Sequence, residues 1–408
     1  MRPRFSRHWF LVLLSATLLV FAATARAATP PVNIGDVIVT TSERPIKISV
    51  AGSTADLNGF ARHVFGTHGR YAVVTAAEAQ YDLRFTSVAP KQVRVDVRNQ
   101  AGVALFSQTA DGTSDRNALF RAADLAVKAT SRLNGFFASR LAFVSTRTGK
   151  DDIYVGDVFL SEVTPITADH SAVPSLRWSP DGGRLIFTSY YKNNRPDIYL
   201  HDLATGRTDV FASLEGTNTG ARFSPDGRQV AMVLTGEGPS EIYVGDPQGR
   251  TRVRLTRSDT IKSSPSWSPD GLRILYSGDP GPQLRVISAA GGAPQTIDIG
   301  GLSSYAAEPD WSRADPDKIA FTVRAGKNYQ VAVASVSGSK PAKIVSGKIP
   351  VTDVQEPVWL ADGRHLICTA KAANVRLLYL LDTETGKATR LDQSGAFGES
   401  SRADVWGP

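Results

Sequence analysis

The chain has 408 residues, 42% of them hydrophobic and 21% charged, with 46 Lys and Arg against 39 Asp and Glu for a formal charge of +7. Such a composition supplies a sizeable core and excludes wholesale disorder, and the length suggests roughly two to three domains. A single cysteine, Cys368, excludes an intrachain disulfide framework and a cysteine-based structural zinc site.

The first 27 residues read as a secretory leader. A basic start with Arg2, Arg4 and Arg7 precedes an apolar run from Trp9 to Ala23, and Ala25-Arg26-Ala27 has small residues at both specificity positions of a cleavage site. The run is shorter than the ~20 residues that cross a bilayer core, so cleavage after Ala27 and export to a periplasm are expected. Removal takes four arginines and no acid, and the charge falls from +7 to +3. The remaining basic residues are scattered, which argues against a nucleic-acid groove.

Residues 28–139 predict a small α/β domain. Pro45–Val50, Tyr71–Val74, Tyr81–Phe85 and Val93–Val97 alternate or run apolar as strands do. Leu57, Phe60, Ala61, Val64 and Phe65 fall at helical spacing after Ser53-Thr54, a plausible N-cap; a second helical series, from Leu119 to Leu133, ends near Gly135. His63 and His68, with no carboxylate nearby in sequence, read as surface or capping residues.

From residue 140 onward the chain repeats. Trp178-Ser-Pro-Asp-Gly182, Phe223-Ser-Pro-Asp-Gly227 and Trp267-Ser-Pro-Asp-Gly271 are copies of one pentapeptide, with looser ones starting at Trp311, Trp359 and Trp406. The aromatic slots are spaced 45, 44, 44, 48 and 47 residues apart. The first five are each followed by short strand patterns such as Arg184–Thr188 and Asp197–Leu200, the period and content of a propeller blade. Pro, Asp and Gly build the tight turn, so the motif is a folding device. Residues 140–168 lack a first strand and Arg402–Trp406 lacks successors. Pairing them predicts a six-bladed β-propeller, residues 140–408, closed by the C-terminal strand. The fold class is thus α+β and multidomain: the small α/β domain followed by the propeller. Cys368, in the apolar run His365–Thr369, reads as a buried strand residue.

No nucleophile elbow, zinc helix, phosphate loop or EF-hand spacing occurs, so no catalytic residue, metal or cofactor is expected. The sharper expectation concerns the loops that enter the innermost strands and converge at one mouth of the ring. They contain Thr217, Asn218, Thr219 and Gly220; Lys262, Ser263 and Ser264; Ser304 and Tyr305; and Asp353 and Gln355. Polar loops on a rigid scaffold form a recognition platform.

The leader, the α/β domain and the Trp-Ser-Pro-Asp-Gly repeats together resemble the TolB family, periplasmic propeller proteins of the Tol–Pal cell-envelope system. The join from Leu133 to Ser145 carries the most specific likeness. The resemblance implies a non-enzymatic scaffold that supports outer-membrane integrity and cell division. It implies binding of a peptidoglycan-associated lipoprotein at the mouth, through Thr217–Gly220 and Lys262–Ser264. It also implies a TolA-like inner-membrane partner for the mature N-terminal segment, with Ala28, Thr29, Val32, Asn33 and Ile34 as contacts. Association with the envelope is then peripheral, through protein partners, with no nucleic acid. The alternative is an exported propeller hydrolase or lyase, or a ligand-binding propeller, with its site in the central channel. That reading needs acids, histidines or a metal inside the channel.

Overall fold

A computed structural model describes residues 44–407 apart from 193 and 237. The expected leader and the segment holding Ala28, Thr29, Val32, Asn33 and Ile34 lie outside the described residues.

Five strands, β1 (Ile46–Gly52), β2 (Tyr71–Val73), β3 (Tyr81–Ala89), β4 (Gln92–Asn99) and β5 (Ala104–Asp111), form one sheet in the order β2-β1-β3-β4-β5. β1 runs parallel to β2 and β3, and the other pairs are antiparallel. Alternation in β4 buries Val93, Val95 and Val97 while Arg94 and Arg98 face water. Two helices cover the sheet. The first, α1 (Ala55–Thr67), begins at Thr54, whose hydroxyl accepts the Leu57 N–H at 3.2 Å as expected of an N-cap. The second, α2 (Asp115–Ser131), is capped by Ser114 and stops at Arg132, whose backbone is left-handed, before the expected glycine is reached. Gly135 serves packing instead: a Cβ there would lie 2.2 Å from the side chain of Asp124. Asp124 in turn accepts the N–H groups of Phe137 and Ala138 at 2.8 and 3.0 Å, pinning the linker that leads into the propeller.

Six four-stranded antiparallel sheets follow. In blade 1 the innermost strand is Ser400–Trp406, hydrogen-bonded to Arg140–Ser145 and followed outward by Asp152–Asp157 and Val163–Pro165. Blades 2 to 6 have the innermost strands Ser175–Trp178, Asn218–Phe223, Lys262–Trp267, Ala306–Trp311 and Asp353–Trp359. The six-bladed ring is therefore sealed by the C-terminal strand, which gives Arg140–Ser145 a partner on both sides.

The register corrects one slot. Trp267 pairs with Ile274 and Trp359 with Leu366, but the residue opposite Leu141 is Val405, and Trp406 lies one place further on. Counting aromatics picked the wrong residue because valine fills the buried slot in blade 1. Trp406 does another job: its ring sits 6.5 Å from that of Trp178, and its Nε1–H donates to the Pro180 carbonyl at 2.9 Å.

Neighbouring blades are stitched through the same slot. The Trp359 N–H donates to Asp310 at 2.8 Å, the Trp178 N–H to Asp404 at 2.7 Å and the Trp311 N–H to Ser266 at 3.0 Å. Each acceptor stands one place before the slot of the preceding blade. Indole N–H groups add a second bond, as from Trp267 to the Arg222 carbonyl at 3.0 Å. Buried donors thus find partners between blades as well as within them. One apolar cluster joins the two bodies, with Phe65, Phe85, Phe136 and Phe137 packed alongside Leu141, Phe143, Ile367 and Leu380. Cys368 is buried in the strand His365–Ala372, and burial pushes its thiol up to about 12, so it stays an unreactive core residue.

Candidate functional site

The mouth of the ring is built on a repeated backbone irregularity. Three places before each slot stand Ser175, Gly220, Ser264, Glu308, Glu356 and Arg402, and together they line a cavity of about 90 Å³ on the channel axis. In five blades the innermost strand is bulged here, and the residue takes left-handed backbone: φ is 64° at Gly220, 53° at Ser264, 52° at Glu308, 54° at Glu356 and 50° at Arg402. A bulge re-aims the side chain it carries. Left-handed non-glycine residues persist only where their surroundings hold them.

Between blades 5, 6 and 1, hydrogen bonds from blade to blade do the holding. Glu308 accepts from the Thr322 hydroxyl at 2.7 Å and from the Glu356 backbone N–H at 3.1 Å. Glu356 repeats the pattern with the Thr369 hydroxyl at 2.7 Å and the Arg402 N–H at 3.2 Å. Arg402 completes the series with an ion pair to Glu356 at 3.5 Å. Withdrawal from water, and then the neighbouring Glu356 charge, push the Glu308 carboxyl above its usual range. One layer further down the channel, Arg222 of blade 3 pairs with Asp310 of blade 5 at 2.5 Å.

The expected mouth residues divide into two groups. Ser304 is exposed, while Thr217, Thr219, Gly220, Ser263, Ser264, Tyr305, Asp353 and Gln355 are half-buried around the rim. Asn218 and Lys262 are corrections, because both are buried and face into their blades. The Asn218 side chain donates to the Leu214 carbonyl at 2.8 Å and to Asp197 at 3.3 Å, bracing its own loop. Lys262 reaches Glu241 at 3.3 Å and is held by Ser258 and Thr260. Although burial pulls the other way, hydrogen bonds from Thr256 and Ser258 with the Arg254 and Lys262 charges hold the Glu241 carboxyl below its usual range. Glu308 and Glu356 escaped sequence reading because they sit inside strands; their signal was a fixed offset from the slot.

Both histidines near the end of α1 stand as read, one on the surface and one as a cap, but the cap is buried. His63 is exposed, but His68, the C-cap of α1, is buried against residues of blade 6.

Residues 128–408 match the family described as the TolB beta propeller domain. The Tol-Pal system protein TolB of Bordetella pertussis is 28% identical over 225 residues, which cover 54% of this chain and 49% of the relative. The chain thus spans about half the length of the curated relatives it matches. Among solved structures, TolB from Acinetobacter baumannii superposes with a TM-score of 0.78 at 21% identity, covering 89% of this chain and 97% of that one. Hydrazine synthase of Kuenenia stuttgartiensis gives a TM-score of 0.55 at 14% identity, covering 67% and 47%. At these identities both structures speak to the fold alone.

Proposed function

The chain belongs to the TolB beta propeller domain family, and from that membership we propose a non-enzymatic periplasmic scaffold of the Tol-Pal system that holds a peptidoglycan-associated lipoprotein at the propeller mouth. The observation that carries this reading is the ring of left-handed residues, which fixes polar loops from different blades around one opening. A rigid rim of that kind is pre-organised, which lowers the ordering cost of binding a partner. In the same reading residues 1–27 are a cleaved leader and the segment from Ala28 engages a TolA-like inner-membrane protein. Residues 28–139 then carry that contact, and 140–408 carry the lipoprotein site. Support for outer-membrane integrity and constriction at division follows from bridging the two.

Capture assays on the purified chain test the mouth. Thr217→Arg with Ser304→Arg places bulk and charge on the rim and leaves the Thr188–Thr219 bond between blades 2 and 3 in place, so loss of lipoprotein capture with an unchanged melting temperature is expected. Undiminished capture removes the mouth assignment. Lys262→Glu is a poor test, since it buries two like charges and perturbs the blade first.

One observation favours a site inside the channel: Glu308, Glu356 and Arg402 converge there. Its size speaks against a substrate pocket, because about 90 Å³ is well below the ~300 Å³ at which small-molecule sites begin. Both carboxylates also already accept a threonine hydroxyl and a backbone amide. Turnover of an oligosaccharide that disappears in Glu356→Gln would overturn the scaffold reading.

A further inference from the structure

His68 and His365, far apart in sequence, meet where the N-terminal sheet and its helices pack on blade 6. Their rings are edge to face, with centroids 4.4 Å apart and planes at 81°. Both side chains are fully buried, and the Nε2 atom of each is without a hydrogen bond. Folded interiors rarely leave two such nitrogens so close together and unsatisfied.

The surroundings are acidic and aromatic. Asp362 Oδ2 lies 2.6 Å from His365 Nδ1, and Asp382 Oδ2 lies 3.7 Å from His365 Nε2. Gly69, next to His68, rests on that same Asp382 oxygen, which a Cβ at 69 would approach to 2.0 Å. Phe136 packs on both imidazoles, with centroids 5.4 Å from His68 and 4.7 Å from His365. One donor atom each of His68, Asp362 and His365 lie within 4.8 Å of one another, and Asp382 stands at the Nε2 edge of His365, opposite Asp362 at Nδ1.

We propose that this cluster is a site for a divalent metal of the zinc class, with Nε2 of His68, Nε2 of His365 and the Asp382 carboxylate as ligands and the fourth position left to water. Imidazole nitrogens with a carboxylate oxygen are a donor set that suits zinc. Asp362 has the outer role: it holds the Nδ1–H of His365 and so leaves Nε2 free for the metal. Two carboxylates against the single Arg364 guanidinium, paired with Asp382 at 2.9 Å, leave a negative local charge for a dication to neutralise. Ligands around tetrahedral zinc stand about 3.3 Å apart, so the 3.7 Å between His365 Nε2 and Asp382 Oδ2 must shorten as the metal binds. Coordination through Nε2 moves the His68 proton to Nδ1 and gives up the long 3.3 Å contact from the Arg70 N–H. The ligands come from both bodies, so the metal enters as they join and then clamps them.

The test refolds the full chain with one equivalent of Co²⁺, whose tetrahedral complexes absorb visible light. A visible band that saturates at about one equivalent, bleaches when Zn²⁺ is added and accompanies a melting temperature raised by several degrees is expected. His68→Gln and His365→Gln should lose the band. Absence of the band and of metal retained after desalting in the unsubstituted chain overturns the proposal, as does a band unchanged in both variants. Should a variant fail to fold, the titration of the unsubstituted chain decides alone.

Discussion

Asp124 shows how one side chain couples folding to proton concentration. Its carboxylate lies inside the molecule and is shared between two backbone amides of the linker. Burial pushes it up to about 7, with the amides pulling the other way. A carboxyl raised on folding binds its proton more tightly in the folded chain, so its contribution is complete below the ordinary 3.8 and is lost as pH rises through about 7. Urea titrations from about pH 5 to about pH 8 should therefore show the advantage of the native chain over Asp124→Asn shrinking by roughly 2–3 kcal/mol. A difference that stays constant with pH would mean that Asp124 does not titrate in this range. The same scale shows what a sequence conceals. His68 and Lys262 are ordinary surface residue types, and each is buried by partners that local spacing does not reveal: blade 6 for His68 and Glu241 for Lys262.

Elements were legible where one local cause dominates. The tight turn of Trp-Ser-Pro-Asp-Gly has positive φ at Gly182, Gly227 and Gly271, with the serine hydroxyl on the aspartate, so five residues announce a hairpin wherever they occur. β5 was missed because only Ala110 of its eight residues is buried, leaving no alternation to read. The mouth bulges were missed because four of the five carry a residue other than glycine. That choice has a measurable cost. Left-handed backbone is unfavourable for a residue with a Cβ by about 1–2 kcal/mol, and glycine gives back about 0.5–1 of it in lost chain entropy. Ser264→Gly should accordingly raise stability by about 0.5–1 kcal/mol, read as a shift of the urea midpoint. Arg402→Gly should give no such gain, since it also removes the pair with Glu356.

At the scale of the whole molecule, six blades depend on one seam. Asp404 sits on the closing strand and accepts the Trp178 N–H of blade 2, so Asp404→Ala leaves a buried donor unpaired at the seam. A loss of about 1–3 kcal/mol is expected by calorimetry. Removing residues 400–408 should abolish the single cooperative transition and give aggregates on size exclusion; a truncated chain that melts as the full one does would show that the ring needs no seal. The seam also imposes an order in time. The strand Arg140–Ser145 precedes its partner Ser400–Trp406 by most of the length of the propeller, so it reaches the place of folding well before that partner arrives. Throughout that wait its hydrogen-bonding edge is a template for any passing strand. The ring thus works as a completeness check, because a chain cut short anywhere before residue 400 keeps an open edge that chaperones and proteases can detect.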